Sequence, residues 1–130
     1  MATELACLAW GVILGLVHIL VAANVRAKEL GIKWNMSARD GIEQPTSHLA
    51  GRLSRAQANF FETFPLFAIA LLIVGVTHTY SVYSYWGAIL YLTARIIYYP
   101  LYVMGVPMLR SLVWLISIIG LLLVLTPLLF

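Results

Sequence analysis

The chain has 130 residues, of which 62% are hydrophobic and only 10% are charged, with a formal net charge of +3 and a mean hydropathy of +0.94. A water-soluble domain needs about 25% charged residues, and intrinsic disorder requires low hydrophobicity, so both classes are excluded. The composition instead indicates an integral membrane protein with room for about four helical spans and one sizeable loop.

Four apolar runs are long enough to cross a bilayer as helices. The first run has no basic segment before it and is followed by its positive charges, so we predict a retained helix rather than a cleaved signal peptide. A polar loop at about residues 25–54 follows it, and all elements belong to one transmembrane domain, 1–130. The predicted spans are about residues 5–24, 55–77, 81–103 and 110–129.

The basic residues are concentrated on one side of these spans. Arg95 and Arg110 lie toward or beyond the end of the third span that returns to the long loop, and the opposite connection has no Lys or Arg. By the positive-inside rule, the long loop is cytoplasmic and both termini lie on the non-cytoplasmic side. The compact loops and single-domain size favour a bacterial inner membrane, and a reticulum membrane would give the same sequence pattern. The basic residues in or beside the long loop are Arg26, Lys28, Lys33, Arg39, Arg52 and Arg55.

The few cysteine and histidine residues narrow the possible chemistry. Cys7 is the only cysteine in the sequence, so a CxxC thiol oxidant and a disulfide framework are excluded. The three histidines have no partner at helical spacing, and we therefore predict no metal site. His18, within the first span, is expected to be a neutral, hydrogen-bonded core residue.

Ionisable residues occur inside two of the predicted spans. An ionisable side chain in lipid costs on the order of 2.5–3.5 kcal/mol, so Glu62 and Arg95 are expected to face protein or water. Arg55, Asn59 and Glu62 are spaced i, i+4, i+7 and share one helical face. The third span has a similar polar face, which consists of Tyr91, Arg95, Tyr98 and Tyr102.

These two polar faces have two interpretations. The first is a structural ion pair between Glu62 and either Arg95 or Arg55. The second is a cavity, open to the cytoplasm, that binds a small ligand with both carboxylate and ammonium groups. Arginine binds carboxylates through two parallel hydrogen bonds, and glutamate binds an ammonium. The spacing alone leaves both interpretations open.

Two sequence blocks resemble the MAPEG family, the membrane-associated proteins of eicosanoid and glutathione metabolism. Residues 55–67, RAQANFFETFPLF, are similar to the second-helix signature R-A-x-x-N-x-x-E-x-x-P-x-F of that family. The second block comprises residues 94–99, ARIIYY, followed by Tyr102 and by residues 110–111. The chain looks closest to the microsomal glutathione transferase and leukotriene C synthase branches.

The resemblance implies an all-α, left-handed four-helix transmembrane bundle that assembles as a homotrimer. Glutathione, as co-substrate, would bind between neighbouring subunits near the cytoplasmic face. The implied activity is that of a glutathione transferase or peroxidase, which activates the thiolate and conjugates or reduces an apolar electrophile delivered from the bilayer. The implied partners are glutathione, a lipid-like or xenobiotic electrophile and membrane lipids, with no nucleic acid.

The same resemblance implies roles for individual residues. Arg110 resembles the arginine that holds the thiolate, and a guanidinium near sulfur favours the ionised, nucleophilic form. Prostaglandin isomerase activity is disfavoured, because Ala58 stands where those members have a basic residue and Tyr98 where they have a histidine. The implied glutathione-binding residues are Arg26, Arg55, Asn59, Glu62, Arg95, Tyr98, Tyr102 and Ser111.

Two alternatives belong to other functional classes. A non-catalytic member with the same fold would bind lipid or act as a scaffold without activating a thiol. A proton-coupled exporter would use Glu62 as its proton-linked carboxylate. Such exporters place their essential glutamate in the first span, where this sequence has only Glu4 at the start.

Overall fold

The computed structural model describes residues 1–38 and 47–130, and these residues are helical almost throughout. Four of the helices are long and apolar enough to cross a membrane, namely α1, α3, α4 and α5. The prediction of an all-α, multi-pass membrane protein is therefore confirmed. The helices are α1 (Thr3–Leu30), α2 (Ile32–Asn35), α3 (His48–Thr77), α4 (Val82–Met104) and α5 (Pro107–Leu129).

Two of the long helices continue into the stretch that the sequence predicts as a loop. Helix α1 extends to Leu30 and α3 begins at His48, because hydropathy marks the membrane-embedded part of a helix and not its end. The residues just before Leu30 include good helix formers, and Gly31, with a φ of 91°, ends α1. Arg39 belongs to the predicted loop but lies outside the described residues.

The Ser47 side chain forms hydrogen bonds with both the end of α1 and the start of α3. Its side chain caps α3 by accepting a hydrogen bond of 3.0 Å from the Ala50 backbone N–H. The same hydroxyl donates to the Glu29 carboxylate at the end of α1. A capping serine at this position supplies an acceptor to the free N–H groups of the first helical turn. The two helix ends are thereby held together beside the polar end of the bundle.

The connection between α3 and α4 is short, as the sequence predicts. His78 ends α3 in the left-handed conformation, with a φ of 54°. Ser81 then caps α4 by accepting hydrogen bonds from the backbone N–H groups of Tyr83 and Ser84. The Ser81 backbone N–H in turn donates to the Ser84 hydroxyl, which completes a reciprocal capping box.

Helices α4 and α5 approach each other closely because glycines face each other across their interface. A Cβ atom built on Gly87 would lie 2.6 Å from the Gly120 carbonyl oxygen. A Cβ on Gly120 would lie 2.6 Å from the Tyr91 backbone nitrogen. Small residues of this kind allow transmembrane helices to pack backbone against backbone. The polar ends of α4 and α5 are thereby brought within reach of one shared cavity.

The apolar core lies between α1, α3, α4 and α5, toward the short α3–α4 connection. Phe67 stacks on Tyr91 with ring centroids 3.9 Å apart, and Leu71, Val74 and Val124 are fully buried around them. The Tyr91 hydroxyl and the Thr63 hydroxyl share a buried hydrogen bond of 2.9 Å. This packed half anchors the helices, and the polar residues of the candidate site lie on the other side of Tyr91.

Candidate functional site

Arg95 of α4 is the most deeply buried charged side chain of the described residues, with 0% of its surface exposed. Its Nη1 donates a hydrogen bond of 2.9 Å to Asn59 Oδ1 on α3. The guanidinium carbon lies 4.4 Å from the centroid of the Tyr98 ring and 5.5 Å from that of Phe60. These contacts hold the cation in place through one amide and two aromatic rings.

Two donors of this guanidinium remain without a partner. Arg95 Nε and Nη2 are buried and have no hydrogen-bond partner among the described residues. A buried charged donor that lacks an acceptor is costly, so such groups are normally satisfied by water, an anion or a ligand. The surroundings of Arg95 therefore favour binding of a polar or anionic group.

A cavity of about 240 Å³ lies next to Asn59, the partner of Arg95. We call it the tyrosine cavity. Helix α3 contributes one lining residue, and α4 and α5 contribute the others, so the close approach of α4 to α5 shapes its walls. Its lining residues are Asn59, Tyr98, Tyr102, Arg110, Ser111 and Trp114.

A second cavity, of about 220 Å³, adjoins the turn between α4 and α5. We call it the arginine cavity. It shares Tyr102 and Arg110 with the tyrosine cavity, and the Arg110 guanidinium carbon lies 4.8 Å from the centroid of the Tyr102 ring. Arg110 is therefore placed between the two cavities. The lining residues of the arginine cavity are Arg52, Arg55, Tyr102, Gly105, Val106, Pro107 and Arg110.

Glu62 lies on the exposed side of α3 in the single chain. It is close enough to Arg95 and Tyr98 to interact with them electrostatically. Among the described residues, however, Glu62 forms no hydrogen bond or ion pair, and Arg95 is bound to Asn59 instead. The structural ion pair considered from the sequence is therefore not formed within one chain.

The structure brings most of the sequence-predicted site residues together. Asn59, Tyr98, Tyr102, Arg110 and Ser111 share the tyrosine cavity, and Arg55 joins Arg110 in the arginine cavity. Arg95 lines neither cavity and is hydrogen-bonded to Asn59. Arg26, on α1, lines neither of these cavities, and its buried Nε has no hydrogen-bond partner among the residues that the structure describes.

Five lining residues were not predicted from the sequence: Gly105, Val106 and Pro107 at the α4–α5 turn, and Arg52 and Trp114 within helices. Arg52 was considered only for its charge, although it lies one helical turn before Arg55 on the same face. Trp114 was not considered, although it lies one turn after Arg110 and Ser111. Helical spacing from the predicted site residues could have identified both.

His18 packs against aromatic residues that lie next to the candidate site. It is 1% exposed, and its ring lies 3.9 Å from the Tyr99 ring and 4.9 Å from the Phe60 ring, measured between centroids. Phe60 in turn packs against Arg95. His18 is thus a core residue that packs against the aromatic rings beside the buried guanidinium. Its buried Nδ1, however, has no hydrogen-bond partner among the described residues, so the expected hydrogen bond is not found at that nitrogen.

Four membrane-crossing helices with a buried arginine and two polar cavities at one end define a multi-pass integral membrane protein with an intramembrane polar site. A family model described as the MAPEG family matches residues 7–130. The chain belongs to the MAPEG family, and the family predicted from the two sequence blocks is confirmed. A comparison with curated proteins gave no match. The family includes glutathione transferases and non-catalytic members.

Proposed function

We propose that this protein is a membrane-embedded glutathione-dependent transferase or peroxidase, related to the microsomal glutathione transferase and leukotriene C synthase branches. The main support is the convergence of Asn59, Tyr98, Tyr102 and Arg110 on the tyrosine cavity. Asn59 is also hydrogen-bonded to Arg95, two of whose buried nitrogens have no partner among the described residues. A purely structural core consists of packed apolar side chains and would not place this many hydroxyl and guanidinium groups around open space.

The chemistry of the lining matches the chemistry of glutathione, which carries two carboxylates, one ammonium and two amides. The Asn59 amide and the hydroxyls of Tyr98, Tyr102 and Ser111 can hydrogen-bond the peptide groups. Arg55 and Arg26 are assigned to the carboxylates, because guanidinium groups bind them through two parallel hydrogen bonds. Glu62 is assigned to the ammonium.

Arg110 is assigned to the thiolate. An ordinary thiol has a pKa of about 8.5 and is only slightly ionised at neutral pH. Lowering that pKa by about two units corresponds to about 2.7 kcal/mol of differential stabilisation, and a guanidinium beside sulfur in a partly desolvated cavity favours the charged form. Arg110 lines the tyrosine cavity from α5 and is oriented by Tyr102.

The thiolate can react in two ways with an apolar co-substrate. In a transfer to an epoxide, the sulfur forms a bond to carbon, the carbon–oxygen bond breaks, and the released oxygen takes a proton. In a peroxidase reaction, two glutathione molecules are oxidised to one disulfide while a hydroperoxide is reduced to an alcohol and water. In both cases the apolar substrate enters laterally from the bilayer.

The proposed assembly is a homotrimer with glutathione bound between neighbouring subunits. Glu62 is exposed on a membrane-spanning helix, and a carboxylate facing lipid costs on the order of 2.5–3.5 kcal/mol. A neighbouring subunit over this surface would remove that cost. It would also explain why Arg26 lines neither cavity in the single chain, because Arg26 would reach the ligand of the adjacent subunit.

The proposed orientation places the cavities on the cytoplasmic side of a bacterial inner membrane. The basic residues of α1, α3 and α5 lie at the same end of the bundle as the arginine cavity. Both chain termini would then be non-cytoplasmic. Glutathione, a cytosolic thiol, would enter from the side on which the arginines lie.

Isothermal titration with glutathione tests this function. The protein would be purified in a nonionic detergent, and its oligomeric state measured by light scattering. We expect binding by the wild type, loss of binding in Asn59→Ala, and no change in Lys28→Gln, an exposed cation at the end of α1. A folded trimer that releases no heat at millimolar glutathione, but binds lipid, would instead favour the non-catalytic alternative.

A further inference from the structure

The arginine cavity carries more positive charge than one carboxylate would match. Arg52, Arg55 and Arg110 all line its volume of about 220 Å³, and none of the described residues that line it is acidic. Three guanidinium groups around one space repel each other unless an anion lies between them. This cavity is therefore built for a group with more than one negative charge or with several acceptor oxygens.

Arg52 is held at the wall of this cavity by the turn between α4 and α5. Its Nη1 donates a hydrogen bond of 3.4 Å to the Val103 carbonyl oxygen. A Cβ atom on Gly105 would lie 2.9 Å from Arg52 Cζ and Nη2, so the missing side chain makes room for the guanidinium. A guanidinium has five N–H donors, and one long bond to Val103 leaves the others available for a ligand.

The start of α5 adds to the positive potential. Val106 and Pro107 line the cavity, and α5 begins there with Val106 as an N-cap that makes no side-chain capping bond. The N-terminal end of a helix has a partial positive charge and unpaired N–H groups. Together with the three arginines, it forms an environment that suits a phosphate group better than a single carboxylate.

We propose that the arginine cavity binds a phosphate group and that Arg52 is one of its ligand residues. The cavity lies at the end of the spans, where phosphate can come from an anionic phospholipid headgroup or from a soluble phosphate. Basic pockets between transmembrane helices bind both kinds of phosphate through the same contacts. This site is inferred from its own charges and geometry, but it shares Arg55, Tyr102 and Arg110 with the proposed glutathione site, so phosphate and glutathione would compete for these residues.

The test uses the full chain purified in a nonionic detergent. Binding of phosphatidic acid is measured by native mass spectrometry, with phosphatidylcholine as the reference lipid, and binding of radiolabelled inorganic phosphate by equilibrium dialysis. We expect phosphatidic acid to bind in preference to phosphatidylcholine. Arg52→Gln should lower the affinity about tenfold, as expected for the loss of one charged hydrogen-bond donor. Lys28→Gln, which removes an exposed charge outside the cavity, should have no effect.

The two phosphate probes distinguish the sources. Binding of phosphatidic acid alone supports a headgroup site, and binding of inorganic phosphate as well supports a site for soluble phosphate. Equal binding by the wild type and folded Arg52→Gln, or no binding of either probe to the wild type, overturns the proposal. Arg52→Lys keeps the charge but loses the planar donor fork, so it should give an intermediate affinity and serves if Arg52→Gln does not fold.

Glutathione titration of the same samples separates this proposal from the proposed function. Arg52 lies outside the tyrosine cavity and is assigned no contact with glutathione, so Arg52→Gln should retain glutathione binding. A wild-type protein that binds glutathione but neither phosphate probe contradicts only the phosphate site. One that binds phosphatidic acid but not glutathione contradicts only the proposed function.

Discussion

Arg95 and Asn59 join the two polar faces of α3 and α4 through one hydrogen bond of 2.9 Å from Nη1 to Oδ1. Arg95 Nε and Nη2 have no hydrogen-bond partner in the described part of the chain, and Asn59 lies at the wall of the tyrosine cavity. The buried charge is therefore only partly satisfied by the protein. A ligand that contacts Asn59 lies close to the strongest unsatisfied charge in the bundle.

Removing the Asn59 amide should destabilise the bundle and impair the site together. Asn59→Ala leaves a third donor of Arg95 unpaired, and we expect a loss of about 1 kcal/mol in the free energy of unfolding, within the usual range for an interhelical hydrogen bond. Unfolding in mixed detergent micelles measures it. Asn59→Asp, which gives Arg95 a carboxylate partner, should be at least as stable as the wild type; equal loss in both variants would contradict the assigned contact.

Removing the Arg110 guanidinium should change the pH dependence of the reaction. A nearby cation favours the thiolate and lowers the pKa of bound glutathione, so Arg110→Ala should return that pKa toward about 8.5. The rate at neutral pH should fall roughly 25-fold, because the ionised fraction drops from about three quarters to about 3%, and it should recover as the pH rises. Rate profiles against pH and the ultraviolet absorbance of the thiolate measure this. Arg110→Lys should retain part of the shift. Identical profiles for the wild type and Arg110→Ala would remove this role.

Glu62 should recognise the ammonium of glutathione and not its thiol. We expect Glu62→Gln to bind glutathione about tenfold more weakly, because a charge-assisted hydrogen bond is replaced by a neutral one. A glutathione analogue without the amino group should bind the wild type and Glu62→Gln equally. If the variant weakens both ligands to the same extent, Glu62 acts on the assembly or on Arg95 and does not contact the ammonium.

The glycine contact between α4 and α5 should tolerate no side chain. Gly120→Ala places a Cβ atom 2.6 Å from the Tyr91 nitrogen and 2.8 Å from the Gly87 carbonyl oxygen, and both are backbone atoms. We expect a loss of about 1–3 kcal/mol and a lower Tm. Gly75→Ala is the control, because its nearest neighbour is the flexible end of Leu5 at 3.3 Å. A Gly120→Ala protein as stable as Gly75→Ala would show that the helices are farther apart.

The spans and the family could be predicted because both depend on local sequence. A run of apolar residues identifies a membrane helix wherever its neighbours lie, and residues 55–67 carry their signature within a few helical turns. The positions of Asn59, Tyr102 and Arg110 in one cavity depend on the rotation of three helices about their axes. Residue spacing predicts which residues share one face of a helix. It does not predict which faces of different helices pack against each other.

Contacts between distant residues were beyond prediction. Glu4 looked like a terminal charge at the start of the first span, yet it is only 4% exposed and accepts a hydrogen bond of 2.7 Å from the Ser84 hydroxyl. The sequence indicated only that Arg52 is one of the cytoplasmic charges. In the structure, Gly105 of the α4–α5 turn lies against its guanidinium. In both cases the partner comes from another helix, and only the packed bundle brings the two residues together.

A structure of the protein determined with saturating glutathione tests the central claim most directly. We expect density for the tripeptide in the tyrosine cavity, with its sulfur beside the Arg110 guanidinium and its backbone beside Asn59. An assembly in which that cavity stays empty, with Glu62 of one subunit paired to the Arg95 donors that are free in the single chain, would contradict it.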